Sequence, residues 1–152
     1  MQNKFYLSKE DYERGISLMI RFCMDFAVVK DGKLLLAKRL IDPYKGFWHL
    51  PGGMVRKGEP MQEAAQRILT AELGLKPVST ELVGYIEYLD EKLPEKGITT
   101  HSVSLVFKTV LKEGELKASF QAKEIKFFSE IPDDVIPPLA EFLLKKMQDL
   151  IV

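Results

Sequence analysis

The sequence predicts an α/β domain in which helices flank a mixed β-sheet. Three observations point there. The elements run helix, strands, central helix, strands, final helix, an order that builds layers rather than a regular βαβ alternation. Hydrophobic residues make up 46% of the chain, enough to expect a packed core rather than disorder. The 152 residues suit one core, so a single domain over 1–152 is expected.

Ser8, with Asp11 three residues on, resembles a capping box and predicts a short helix from Lys9 to about Ser17. Phe22 to Lys30 is β-branched and apolar. Asp31-Gly32 then marks a two-residue hairpin, and Lys33 to Lys38 reads as the returning strand. Pro43 and Gly46 punctuate a loop before Phe47-Trp48-His49-Leu50, and Pro51-Gly52-Gly53 is expected to lie outside any strand interior. Pro60 fits a first helical turn, where its missing donor costs nothing, and Gly74 can supply the left-handed residue that ends the helix. Glu81 to Leu89 and Thr99 to Leu111 read as strands around a polar loop with Pro94 and Gly97. Lys112 to Glu115 is a turn, and Glu124 to Phe128 a last short strand. Pro137 and Pro138 precede an amphipathic helix carrying Leu139, Phe142, Leu143, Leu144, Met147 and Leu150.

Lys and Arg number 22, as do Asp and Glu, a balance that argues against a broad nucleic-acid or anionic-membrane surface. A small anionic substrate needs only a few local cations and is compatible with it. The lone cysteine, Cys23, cannot form an internal disulfide, so a reducing cytoplasm is expected. Cys23 reads as a buried apolar residue rather than a nucleophile. The opening MQNKFYLSKEDYERG is too polar for a signal peptide, and no apolar run approaches the ~20 residues of a membrane span.

The chemistry concentrates between Gly53 and Leu75, GMVRKGEPMQEAAQRILTAELGL. Gly52-Gly53 lets the backbone approach a phosphate or a metal closely, and a glycine carbonyl there can ligate Mg²⁺. Glu59, Glu63 and Arg67 are spaced by four and can pair as Glu-Arg-Glu, locking loop to helix. Glu72 falls on the half of the helix that carries Met61, Ala64, Ala65, Ile68 and Ala71. A carboxylate among apolar neighbours must find a cation or hydrogen bonds, or stay protonated.

This segment resembles the signature of the Nudix hydrolases: glycine, five residues, glutamate, seven residues, then R-E-U-x-E-E-x-G-U with U aliphatic. Gly53, Glu59, Arg67, Leu69, Glu72, Gly74 and Leu75 stand at that spacing, and Trp48-His49-Leu50-Pro51-Gly52 resembles the approach to it. The resemblance implies an α/β/α sandwich and Mg²⁺- or Mn²⁺-dependent hydrolysis of a nucleoside diphosphate linked to another moiety. The family usually has glutamates where this chain has Ile68 and Ala71. That departure implies a one-metal site and excludes a base from the missing helix carboxylates.

Within the family, the box is most similar to that of the GDP-mannose mannosyl hydrolases. On that resemblance Asp25 lies near the sugar, Arg39 holds a phosphate, and Gly53, Glu72 and Gln121 ligate the metal. The chain has Met54, Tyr88 and Ala122 where that branch has an arginine and two histidines. A nucleotide sugar is the leading expected substrate. The alternatives are another pyrophosphate derivative, or a weakly catalytic nucleotide-binding regulatory module.

Glu124 is the first choice for general base, with His49 and His101 as alternatives and metal-bound water as a further route. Arg56 and Lys57 are candidate phosphate contacts. Tyr44, Phe47 and Trp48 can stack on a base or simply fill the core. Apolar Tyr12, Ile16, Leu18 and Met19 suggest a homodimer through the N-terminal segment.

Overall fold

The computed structural model describes residues 7–119 and 122–152. Helix α1 (Lys9–Leu18) opens the chain, its N-cap Ser8 accepting from the Asp11 amide as the capping pattern predicts. Strands β1 (Arg21–Lys30) and β2 (Lys33–Arg39) form the expected hairpin. Asp31 and Gly32 at its tip both take positive φ, 51° and 68°, which is the type I′ geometry that suits strand twist. Then come β3 (Trp48–His49), β4 (Gly52–Met54), α2 (Met61–Leu73), β5 (Pro77–Leu93), a 3₁₀ turn (Pro94–Lys96), β6 (Ile98–Leu111), β7 (Ala122–Phe128) and α3 (Pro137–Ile151).

The sheet runs β3-β2-β1-β6-β5, with β4 also paired to β1 and β7 to β2. Among the described strands only β1 and β6 pair in parallel, so the sheet is mixed. One apolar cluster packs Leu34, Leu36, Ala27, Val106 and Ile86 against Leu139, Leu143 and Met147 of α3. The other packs Met24, Phe26, Val28 and Leu35 against Ala64, Ala65, Ile68 and Leu69 of α2. Alternate residues of each strand feed opposite clusters, which makes the three-layer α/β/α sandwich.

β1 changes partner along its length. Val29 pairs with Leu34 of β2, but Cys23, Met24 and Asp25 pair with Met54, Gly53 and Gly52 of β4. The sheet therefore parts beyond the hairpin, between the Asp25 stretch of β1 and the end of β2 at Arg39.

Three expectations need correction. Gly52 and Gly53 do form a short strand. A Cβ on Gly52 would run into the Asp25 carboxylate and lie 2.6 Å from the Met24 carbonyl oxygen, so glycine is what allows β4 to lie so close to β1. Leu144 does not join the core; at 78% exposure it faces outward from α3. On α2, Ala64, Ala65 and Ile68 are buried as expected, whereas Met61 and Ala71 are exposed.

Candidate active site

The box segment is a rigid brace. Glu59 accepts from Arg67 Nε at 2.6 Å and Nη2 at 3.0 Å, and from the Arg56 amide at 3.0 Å. Arg67 Nη2 also donates to the Met54 carbonyl at 2.8 Å. These bonds tie the loop after β4 to the middle of α2, and Arg67 holds the Glu59 carboxyl below the usual carboxylate range. Gly74 closes the helix in the left-handed conformation, φ 74°. Glu63, expected to share Arg67, is exposed and takes no part: Glu59 reaches across from the loop and takes the Nε and Nη2 donors of the guanidinium.

Where the sheet parts lies a cleft of about 1250 Å³. Asp25, Arg39, Gly53, Arg56 and Glu72 all line it, so the predicted site residues converge from β1, β2, β4, the loop and α2. Glu72 is half-buried, and burial raises its pKa, offset in part by the Ser119 hydroxyl, which donates at 3.3 Å, and by the field of Arg39. Arg39 is pinned by its Nε, which donates to the Pro43 carbonyl at 2.6 Å. Asp25 lies at the base of the cleft; burial pushes its carboxyl up to about 7, with Tyr88, whose hydroxyl is 3.5 Å from Oδ2, among the groups that pull it back. Burial and the positive field of Arg39 push His49 down to about 3, so its ring is neutral near pH 7.

Other expected residues stand elsewhere. Glu124 pairs in register with Lys38 on β7, so it shares the sheet face of Lys38 and Leu36, on the α3 side. Glu124 is not among the residues that line the cleft, so it is not brought together with Asp25, Arg39, Gly53, Arg56 and Glu72. His101 alternates with the cleft-lining Ser102 and also points away. Trp48 is core: 7% exposed, edge-on to Phe128 with centroids 4.9 Å apart. Cys23 lines the cleft, and burial pushes its thiol up to about 12, as a non-nucleophilic cysteine should be. Gln121 lies outside the described residues.

Sequence reading missed Arg21 and Glu91, both of which line the cleft and face each other at 3.6 Å. Glu91 sits in a polar run, Asp90-Glu91-Lys92, that reads as loop. Among the described residues no helix is long and apolar enough to cross a membrane.

A layered sheet opened at one end, with a helix locked to a glycine-glycine strand by a buried Glu–Arg brace, is the arrangement of a Nudix domain. A NUDIX domain model matches residues 25–149, and the chain belongs to the Nudix hydrolase family. It is 40% identical over 127 residues to the ADP-ribose pyrophosphatase of Methanocaldococcus jannaschii, a match covering 83% of this chain and 72% of that protein. It is 26% identical over 133 residues to the low-salt glycan biosynthesis protein Agl8 of Haloferax volcanii, covering 87% and 85%. Among solved structures, a MutT NUDIX hydrolase from Burkholderia pseudomallei superposes with a TM-score of 0.70 at 26% identity, over 84% of this chain and 97% of that one.

Proposed function

We propose that this enzyme hydrolyses a nucleoside diphosphate joined to a sugar, ADP-ribose being the first candidate, at the diphosphate, with one Mg²⁺ or Mn²⁺ per site. The observation that carries the reading is the mixed lining of the cleft. Arg39, Arg56 and Glu72 suit phosphates and a cation, and the same cleft holds Asp25, Tyr88 and Ser104, groups that suit hydroxyls. At about 1250 Å³ the cleft exceeds what a bare diphosphate fills. The likeness to an ADP-ribose pyrophosphatase supports the same substrate class.

The donor set fits one hard ion. The Glu72 carboxylate is half-buried and raised by that burial, a state that a divalent cation would reverse, and the Gly53 carbonyl belongs to the same cleft. Among the described residues no three His, Cys, Asp or Glu side chains gather into a metal site. Gln121, water and substrate phosphates are the further ligands of this reading. When bound, the ion supplies positive charge that neutralises the diphosphate as the leaving group departs. The chain does the rest. Arg39, fixed by Pro43, orients one phosphate; Arg56 flanks another. Asp25, with its pKa close to neutrality, is the acid–base carboxylate of this reading, able to hold or release a proton near pH 7. Neutral His49 adds no charge to the site.

Incubating the protein with ADP-ribose and a panel of nucleotide sugars, with and without Mg²⁺, tests this. Metal-dependent release of AMP and a sugar phosphate is expected. Nucleoside diphosphate plus free sugar would instead place the attack at the sugar carbon, which the loss of glutamates at Ile68 and Ala71 would favour. No turnover with retained nucleotide binding would favour a regulatory module.

A further inference from the structure

Along β5 the register slips. Tyr88 lies opposite Ser102 of β6, and Glu91 lies opposite Thr100. Three steps on one strand against two on its neighbour leave one extra residue, a β-bulge, the device by which strands re-aim side chains beside active sites. In an unbroken strand, positions three apart face opposite sides of the sheet. The bulge brings both Tyr88 and Glu91 to the cleft, while Leu89 between them is 62% exposed.

Glu91 is thereby carried into a place where a carboxylate is expensive. It is 8% exposed, and burial raises its pKa. Its closest cation, Arg21 Nη2, is 3.6 Å away, an ion pair beyond hydrogen-bond length. Arg21 spends its hydrogen bonds elsewhere, Nη1 on the Tyr12 hydroxyl at 3.2 Å and Nη2 on Thr100 Oγ1 at 3.1 Å. Arg39 reaches Glu91 through its field. The carboxylate is thus balanced in charge but, among the described residues, accepts no hydrogen bond, leaving lone pairs for donors that arrive with a ligand. A second carboxylate, Asp25, acts on the same space. Ionised, the Glu91 carboxylate only accepts hydrogen bonds, so it suits the hydroxyl donors of a ligand and disfavours a phosphate beside it.

We propose that Glu91, set into the cleft by the β5 bulge and held by Arg21, reads vicinal hydroxyls of a sugar in the substrate and is a specificity-determining residue of this enzyme. The inference rests on the reading that the site hydrolyses nucleoside diphosphate sugars. Those hydroxyls can belong to the distal sugar or to the nucleoside ribose, and the test separates the two.

The experiment compares wild type and Glu91→Gln on ADP-ribose, on ADP β-methyl ester, which lacks the distal sugar, and on 2′,3′-dideoxyadenosine diphosphate ribose, which lacks the nucleoside diol. Wild type is expected to prefer ADP-ribose to one of the two analogues. In Glu91→Gln that preference, as a ratio of kcat/KM values, is expected to fall by about tenfold or more, because sites built around a substrate hydroxyl discriminate through it. A fall against the methyl ester assigns Glu91 to the distal sugar; a fall against the dideoxy analogue assigns it to the nucleoside ribose. Equal losses on all three compounds, or unchanged ratios, would overturn the proposal. Should Glu91→Gln fail to fold, Glu91→Asp keeps the charge beside Arg21 while withdrawing the acceptor by one methylene, and is expected to move the same ratio less. If wild type turns over none of the compounds, the hydrolase reading fails on its own. Calorimetric binding of the same three ligands to both proteins then decides the subsite by the same pattern.

Discussion

At the scale of single residues, the proposed chemistry falls to Glu72 and Asp25, and burial raises the pKa of each. In the proposed site Glu72 is the one carboxylate that α2 offers to a metal, because Ile68 and Ala71 supply no oxygen. Ile68 is also fully committed to packing: it is 2% exposed, and its Cγ1 lies 3.2 Å from where a Gly53 Cβ would stand. Manganese titration followed by electron paramagnetic resonance should give one tight site per chain, and Glu72→Gln should remove it together with metal-dependent turnover while leaving the thermal midpoint nearly unchanged. Two tight sites would show that another carboxylate has taken over. Asp25 makes a prediction in pH. Its carboxyl titrates at the ordinary 3.8 when unfolded and at about 7 when folded. Between those values the folded chain binds more protons, so this group's contribution to stability falls as pH rises and is at its most unfavourable above the folded pKa. Asp25→Asn should therefore raise the melting temperature at about pH 8 more than at about pH 4, with a penalty on the order of a few kcal/mol relieved, while lowering turnover. A variant no more stable than wild type at either pH would contradict the assignment.

At the scale of elements, the decisive unit is the loop and helix from Gly53 to Gly74. Glu59 has a side chain only 2% exposed, and Arg67 is its cation. Removing the guanidinium in Arg67→Ala leaves that carboxylate buried and unpaired, a change that costs about 3 kcal/mol or more. For a chain of this size that corresponds to a fall of roughly 10 °C in melting temperature, readable by calorimetry; a fall of only a degree or two would mean the brace is ornamental. This unit was legible in the sequence because its signals are local: Pro60 and Gly74 bound the helix, and fixed spacing aligns Glu59, Arg67 and Glu72. The hairpin at Asp31-Gly32 was legible for the same reason. What lay hidden depends on sheet register. The Gly52–Met54 strand exists only because Gly52 can press against Asp25. The face of Glu124 follows from its pairing with Lys38, and the arrival of Glu91 in the cleft follows from a bulge. One residue of register moves a side chain through the sheet, and nothing in a single strand's composition records that step.

At the scale of the whole molecule, two apolar clusters sandwich the sheet, and the cleft opens where β1 exchanges β2 for β4. Helix α1 adds a third feature. At its junction with β1, Leu18, Met19, Ile20 and Phe22 are 73%, 73%, 58% and 42% exposed, a contiguous apolar run outside both clusters, while Ile16 is buried beneath. Such a patch favours association, and we expect a homodimer in light scattering at micromolar concentration, reduced to monomer by Leu18→Glu with Met19→Lys; a monomeric wild type would contradict this. In the proposed reaction, water attacks phosphorus in a nucleoside diphosphate sugar at a one-metal Nudix site. Hydrolysis of ADP-ribose in ¹⁸O water with Mg²⁺, followed by mass spectrometry of the products, tests it most directly. The expected result is AMP and ribose phosphate, with the label in one of their phosphate groups and no products once the metal is chelated. Label in a sugar hydroxyl, or turnover indifferent to the metal, would contradict it.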